Sequence, residues 1–586
     1  MSRRRGGGGA EQESTSQDWV ATLADEVIAA HEKEDPDGAR AIVCASGLSP
    51  SGPIHLGNLR EVLTPHLVAD EIRRRGIACE HLISWDDFDR YRRVPKGVEG
   101  VDDSWAEHVG KPLTSVPPPR GSEYANWAEH FKAPMIDALE RLGVPYRGIS
   151  QTEMYTSGAY VEQTLLAMRE RSRIDGVLGR FRTRKNAETA DSDDDGEGDD
   201  GVDPDEAPFD EDLAGSASGE YFPYKPYCGA CGTDETAIVA YDDATTEMTF
   251  TCACGSSQTV LLREFTRGKL VWKVDWPMRW AYEGVDFEPS GVDHSSPGSS
   301  YEVGGLLVSE IFGGRQPIGP MYAFVGISGQ AKMSSSKGGV PTPSSALEVF
   351  EAPLLRWLYA RRRPNQAIKV AFDAELHRLY DEWDALSRKV AAGTTGAIET
   401  LGHARSVATA ERTLPTTPQP VSFRTLTSVV DVTTGDPEQL GRLLSGLVPG
   451  DPEEPVTLDD LQPRLGCAEH WVEHYMPEES HTRLLAAPDT ALVESLDDTD
   501  RESLRLLLDG LEQDWSLDGL TSLVYGVPKI QAGLPMDTKP TDELKASQRR
   551  FFVLLYRLLV GSDTGPRLPT LLLAAGPDAV RRQLRM

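Results

Sequence analysis

The stretch GLSPSGPIHLGNLRE, Gly47 to Glu61, lies between an apolar run and a helical one and constrains how the surrounding chain folds. RAIVCASG (40–47) is short, apolar and ends in glycine, the pattern of a buried strand. From Leu56 to Arg75 apolar residues recur at helical spacing, with a kink expected at Pro65. IACEHLISW (77–85) reads as a second strand. Strand, loop, helix and strand within 40–85 form a βαβ unit, and that unit requires a parallel sheet.

In such a sheet ligands bind beyond the carboxyl ends of the strands, where this loop begins. Gly47, Gly52 and Gly57 let the backbone pass close to a ligand. The helix start aims its free amides and positive dipole end at an anion. His55 and Asn58 stand about one turn apart and reach the same phosphate. A GxxxxGKS phosphate loop is excluded, because no lysine follows the glycines. The arrangement suits a nucleotide attacked at its α-phosphate. Alone, H-x-G-N is equally a polar connection with a surface histidine; the PSG before it and the strand-to-helix setting favour the phosphate.

A second stretch, KMSSSKGG (332–339), sets Lys332 and Lys337 in a loop of serine and glycine. Two ammonium groups there stabilise charge developing in phosphoryl transfer. By itself it is an ordinary polar loop; paired with the first stretch, in this order, it is far more specific.

At 586 residues the chain exceeds one core, and three or more units are expected. Residues 18–34 read as an amphipathic helix, with further helical patterns at 122–142 and 157–180. Residues 1–17 lack an apolar segment and read as a disordered tail rather than a signal peptide. Thirteen acidic residues among the 22 of 191–212 mark a solvated, disordered insertion. From about 344 onward the pattern is helical almost to the end, with joints near 413–421 and 450–457. No window approaches the length of apolar chain that a membrane span needs.

The formal net charge of -32 would repel nucleic acid in dilute salt. In molar salt, where the Debye length is about 3 Å, that repulsion is screened. Only 15 of the 60 basic residues are lysine, and this balance with abundant Asp and Glu is the one expected of a halophilic cytoplasmic protein. The charge therefore excludes no RNA partner.

Cys44, Cys79 and Cys467 stand singly in apolar surroundings and read as core residues. Cys228, Cys231, Cys252 and Cys254 follow a C-x-x-C…C-x-C spacing that resembles a zinc ribbon. The alternative is two unlinked thiol pairs, which a reducing compartment disfavours. Four thiolates leave no position for water, so the Zn²⁺ would be structural.

PSGPIHLGN resembles the HIGH signature, and KMSSSK the KMSKS loop, of class I aminoacyl-tRNA synthetases. SWDDFDRYRRVP (84–95), GKPLTSVPPP (110–119), DWPMRWAYEGVDFEPSGVDH (275–294) and GPRLPTLLLAAG (565–576) resemble the class I lysyl-tRNA synthetases, of archaeal type, and the acidity suggests a halophile. The resemblance implies an α/β fold: a Rossmann-like parallel-sheet catalytic domain with a zinc-ribbon-like insertion, then an all-α anticodon-binding region. The expected divisions are a tail (1–17), the first catalytic part (18–185), the acidic insertion (186–220), the ribbon (221–265) and the second catalytic part (266–345). A helical stem-contact region (346–410) and a helical anticodon-binding domain (411–586) follow.

By position, His55 matches the first histidine of HIGH and Gly57 its glycine, while Asn58 replaces its last histidine. Lys332 matches the first lysine of KMSKS; Ser335 stands where the second would be, and Lys337 is the nearby substitute. The resemblance implies catalysis by His55, Asn58, Lys332 and Lys337, and ATP binding by Pro53, His55, Gly57, Asn58, Lys332, Met333, Ser334 and Ser335. The implied reaction is ATP- and Mg²⁺-dependent activation of L-lysine followed by transfer to tRNA(Lys).

A lysine side chain needs a buried carboxylate for its ammonium and an aromatic wall for its stem. Asp86, Asp87, Asp293, Trp276, Trp280 and Tyr322 are the candidates, with Gly47 and Ser49 at the amino-acid backbone and His294 bridging substrate and ribose. Each also has an ordinary structural role open to it. Competing readings are another class I synthetase such as a glutamyl enzyme, a nucleotidylyltransferase without tRNA, and a non-catalytic tRNA-binding paralogue. A monomer is favoured.

Overall fold

The computed structural model describes residues 18–190, 219–292, 299–328, 341–418, 420–447 and 456–585. The expected tail, most of the acidic insertion, and the segment carrying Lys332 and Lys337 lie outside them.

Helix α1 (Trp19–Glu34) precedes the βαβ unit, which consists of β1 (Ile42–Leu48), α2 (Leu56–Arg74) and β2 (Cys79–Trp85). Helix α3 (Trp127–Arg141) leads to β3 (Arg147–Ser150). The three strands are parallel in the order β1-β2-β3, with Ile42 beside Cys79 and Leu82 beside Arg147. The chain then returns to the other side of β1. Phe287 bridges Cys44 in parallel, and Ile318 bridges Phe287. Ala45 N donates to Phe287 O at 2.8 Å and Ile318 N to Asp286 O at 2.9 Å. The sheet therefore reverses its order at β1, and its carboxyl edge there is the switch-point crevice of an open parallel sheet.

Pro65 does not end α2, which runs on to Arg74. Proline removes the amide that would bond the carbonyl of Glu61. Ser46 Oγ of β1 donates to that carbonyl at 3.3 Å, so the helix keeps its partner count through the sheet.

Helices α4 (Gln151–Thr156), α5 (Val161–Arg169) and α6 (Arg171–Ala190) follow β3. A ribbon is framed by β4 (Tyr224–Pro226) pairing antiparallel with β8 (Gly268–Leu270). Inside it β5 (Thr236–Tyr241), β6 (Glu247–Cys252) and β7 (Ser257–Leu261) form an antiparallel meander. Tyr224, Met248, Phe250 and Leu270 join a core shared with Met168 of α5 and Ile174 of α6.

Helix α7 (Trp272–Glu283), β9 (Ser290–Gly291), α8 (Ser300–Glu310), β10 (Met321–Tyr322) and β11 (Val325–Ile327) complete the sheet side. Then come α9 (Pro343–Leu347), α10 (Ala352–Ala360) and β12 (Ile368–Val370), the last pairing parallel with β11. The expectation of helix throughout this region is corrected at β12. Three residues gain strand partners only from a segment some forty positions earlier, and local pattern does not report that.

The chain divides into two compact units. One comprises the described residues up to Ala346 together with Leu355–Val370 and Thr394–Leu414; the other comprises Leu347–Leu354, Ala371–Gly393 and the chain from Pro415. The division interleaves within 346–410. The second unit is helical, with Leu507, Leu520, Val524, Leu555 and Leu571 buried together. Within it Arg464, buried, bonds Glu351 and Asp384, each at 2.8 Å. No described helix is long and apolar enough to cross a membrane.

Candidate active site

The loop between β1 and α2 ends in a helix cap. His55 is the N-cap residue: its Nδ1 accepts from Gly57 N at 3.0 Å, while Asn58 Oδ1 accepts from His55 N at 3.2 Å. Two of the amides that a helix start leaves unpaired are satisfied reciprocally. Gly57 has no substitute here, because a Cβ would lie 2.6 Å from the imidazole Cε1. Leu56 N, the first amide of the helix, donates to Pro341 O at 3.1 Å. The chain just past the KMSSSK stretch is thus fastened to the first turn of the histidine-bearing helix.

A cleft of about 370 Å³, counting the part open to solvent, lies against the carboxyl half of the sheet. Gly47 and Ser84 line it from the strands, Gln151 and Tyr160 from beyond β3, and Arg279, Trp280 and Glu288 from α7 and its sequel. Glu283 and Glu288 line it, and Glu61 and Asp86 stand close to Gly47, with further carboxylates beyond them. Asp86 bonds Arg279 at 2.5 Å, and Asp275 bonds the same guanidinium and the Tyr155 hydroxyl. Asp87 accepts from Lys132 at 3.1 Å, from Ser150 Oγ at 2.7 Å and from Thr152 N at 2.8 Å. Asp89 pairs with Lys269.

Glu61 and Glu288 differ. Glu288 is buried, with Trp276 Nε1 donating at 3.0 Å and Trp280 Nε1 at 2.7 Å. Glu61, surrounded by protein yet partly exposed, accepts from Gly47 N at 3.3 Å and from the Tyr322 hydroxyl at 3.2 Å. Burial, and after it the charge of Glu288, lift the Glu61 carboxyl to about 8. Burial lifts Glu288 to about 7 against the pull of its two indole donors. Among the described residues neither carboxylate has an ion-pair partner, although the charge of Arg279 draws Glu288 down and that of Asp86 pushes it up.

The ribbon brings four cysteines together. All four Sγ atoms lie within 4.8 Å of one another, with Cys228–Cys254 at 3.8 Å and Cys231–Cys252 at 3.6 Å. A tetrahedral Zn²⁺ with bonds of about 2.3 Å separates its sulfurs by about 3.8 Å, whereas a disulfide needs about 2.05 Å. The set fits a zinc ion. The first knuckle turns through Gly232 at φ +82°, and Cys228 Sγ accepts from Ala230 N at 3.4 Å. Burial raises the Cys228 thiol, but the amides of Cys231 and Ala230 together with the Cys252 and Cys231 side chains bring it down to about 6.

The model of the tRNA synthetases class I (K) family matches residues 17–411. The chain belongs to this family. It is 60% identical over 578 residues to a lysine–tRNA ligase of Streptomyces coelicolor, covering 98% of this chain and 99% of that one. A lysine–tRNA ligase of Thermococcus kodakarensis is 32% identical, covering 97% and 99%, and one of Treponema pallidum is 28% identical, covering 97% and 98%.

In this synthetase Gly47 stands near the end of β1 and His55, Gly57 and Asn58 at the start of α2, with Pro53 in the loop between them and Ser49 exposed. Trp276, Trp280 and Tyr322 surround the two glutamates. Asp293, His294, Lys332, Met333, Ser334, Ser335 and Lys337 lie outside the described residues. Asp86 and Asp87 are already ion-paired, with Arg279 and Lys132, and Asp89 pairs with Lys269. Sequence reasoning missed Glu61, Glu288 and Arg279. Glu61 carried one signal: it stands three residues after Asn58 and six after His55, one turn and two turns along the same helix.

Proposed function

We propose that this synthetase activates L-lysine with ATP and esterifies it to tRNA(Lys). The observation that carries the reading is the pair Glu61 and Glu288, two carboxylates held by neutral donors beside an aromatic cleft at the switch point. An ε-ammonium between them supplies the missing positive charge, and the indoles of Trp276 and Trp280 flank its stem. A glutamate side chain would meet like charge there.

In the first step a lysine carboxylate oxygen bonds to the α-phosphorus, the bond to the bridging oxygen breaks, and pyrophosphate leaves with that electron pair. In the second, a terminal ribose hydroxyl of the tRNA, the 2′-OH by class I habit, attacks the acyl carbon and AMP leaves. His55 and the first turn of α2 receive the phosphate, Gly47 and Ser49 the amino-acid backbone, and Lys332 and Lys337 contribute cations. Mg²⁺ arrives on the ATP phosphates as part of the substrate and neutralises their charge. Asp293 and His294 keep their suggested places at the substrate. Asp86 is taken up by its ion pair with Arg279.

Cys228, Cys231, Cys252 and Cys254 would hold a structural Zn²⁺. Metal analysis of the purified chain is expected to give one zinc per molecule, and well under one refutes the assignment. The domain divisions given above, including stem contact by 346–410 and anticodon binding by 411–586, remain part of this proposal, as do a cytoplasmic setting, a monomer and operation in high salt. Activity that rises toward molar KCl supports the last, and activity lost there refutes it. An archaeal origin gains nothing from the relatives, since the Streptomyces enzyme is nearer than that of Thermococcus.

Pyrophosphate exchange into ATP, run in molar KCl with each amino acid separately, tests the whole. Exchange that requires lysine and disappears in His55→Ala is the expected result. Exchange with glutamate instead overturns the substrate, and none with any amino acid, even with tRNA added, points to a silent tRNA-binding paralogue.

A further inference from the structure

We propose that Arg60 is a positioning residue for the lysine pocket, fixing Tyr322 against Glu61 by way of the Pro364 carbonyl. The proposal rests on the lysine reading of that pocket.

Arg60 lies in α2 immediately before Glu61 and is 2% exposed. Its Nη2 donates to Arg363 O at 2.7 Å and to Pro364 O at 2.8 Å. Pro364 O also accepts from Ala323 N at 2.8 Å. Ala323 follows Tyr322, whose hydroxyl lies 3.2 Å from Glu61 Oε2. The contacts close a ring: Arg60 to Pro364, Pro364 to Ala323, Tyr322 to Glu61, and Glu61 back to Arg60 through one peptide bond.

Strand β10 is two residues long and pairs only at Met321–Ser290 and Tyr322–Gly291. The same helical turn is fastened from another side, where the Tyr359 hydroxyl donates to Leu56 O at 2.8 Å. Helix α2 therefore grips residue 322 at two points, through its own side chain at Glu61 and through its following amide by way of Arg60.

The chemistry of Arg60 is unusual for a space-filling residue. No described carboxylate lies within ion-pairing distance of it, and Nη1, buried, has no hydrogen-bond partner among the described residues. Burying a cation without a counter-ion is costly, and an aliphatic side chain would fill the space at lower cost. One guanidinium nitrogen, Nη2, donates to both carbonyls and so ties them together. Those carbonyls belong to the turn that carries the amide partner of the Tyr322 segment.

Glu61 is faced by the Tyr322 hydroxyl, by Gly47 N, and by the charges of Glu288 and Asp86. A hydrogen bond from Tyr322 favours its ionised form. If Arg60 sets Tyr322, losing Arg60 raises the pH at which the pocket accepts a cation. A purely structural arginine would lower the melting temperature and leave that midpoint in place.

The test measures KM for lysine by pyrophosphate exchange from pH 6 to 9 in the full-length chain. Relative to wild type, Arg60→Met is expected to raise KM about tenfold at pH 7 and to move the midpoint upward, with kcat within about twofold. Arg60→Lys should recover most of the loss. Tyr322→Phe should reproduce the shift, and combining it with Arg60→Met should add little. An unmoved midpoint in Arg60→Met, or full additivity with Tyr322→Phe, overturns the proposal. Should Arg60→Met fail to fold, Arg60→Gln takes its place under the same criteria. Glu61→Gln separates the two levels of the argument. If it leaves KM and its pH dependence unchanged, the lysine reading itself fails; if it flattens the profile while the Arg60 variants keep the wild-type midpoint, only the clamp fails.

Discussion

The carboxylates around the cleft form two groups. On the floor, Asp86 and Asp275 share Arg279, Asp87 has Lys132, and Asp89 has Lys269. On the wall, Glu61 and Glu288 have a hydroxyl, a peptide amide and two indoles. A buried carboxylate with its own cation is complete and contributes shape. One held by neutral dipoles is oriented without being neutralised by any described residue, so it is left able to receive the positive charge of a ligand. Proximity to the cleft does not separate the two groups; the nature of the partner does.

Glu61→Gln should break this distinction most visibly. Removing one acceptor of a buried cation costs about 3–5 kcal/mol, so kcat/KM for lysine should fall by about 150- to 5,000-fold while KM for ATP stays within about threefold. The melting temperature should hold or rise, because repulsion from Glu288 is relieved. Asp86→Asn should behave in the opposite sense. It leaves Arg279 with Asp275 alone, costs about 3 kcal/mol of stability read as a lowered melting temperature, and changes KM for lysine less than about tenfold. Equal losses of lysine affinity in both variants would dissolve the two groups into one.

The pH dependence of KM for lysine sharpens the same point. With Glu61 lifted to about 8 and Glu288 to about 7, both are largely protonated at pH 6 and ionised above 8, while the substrate ammonium stays charged throughout. KM should therefore fall as pH rises, by about tenfold between pH 7 and 9, and level off above about 9. A KM that rises with pH would contradict the wall. The smallest effect is expected from Trp280→Phe, which removes one indole donor from Glu288 and should raise KM about fivefold, near 1 kcal/mol.

The sequence made the floor conspicuous and the wall obscure. In SWDDFDR three aspartates crowd the end of a strand, and a run of acids draws the eye to itself. Its cations come from positions 132, 269 and 279, and no local pattern announces which distant lysine or arginine will arrive. Glu61 sits inside an apolar helix and Glu288 between the Phe287 bridge and β9, each as a single acid. The βαβ unit, the first motif and the four cysteines were legible because each depends on spacing within a few residues. The Phe287 bridge, the Ile318 bridge and β12 were not, because one to three residues become strand only through a neighbour far along the chain. Trp276 and Trp280 were legible as a pair, four apart on one helical face, although the carboxylate they serve was not.

The cap at His55 also decides a question of protons. A peptide nitrogen has a hydrogen to give and no lone pair to receive one, so the 3.0 Å contact from Gly57 N leaves Nδ1 of the imidazole bare. The neutral ring must then carry its hydrogen on Nε2, and its far edge can only donate. That tautomer closes the role of general base at Nε2 and opens that of an uncharged donor to a phosphoryl oxygen. The fold thus selects one of two chemically distinct histidines with a single backbone amide, before any nucleotide arrives. An asparagine at position 55 would restore the cap, since its side-chain oxygen is a good acceptor at this position, but not the hydrogen on the far edge.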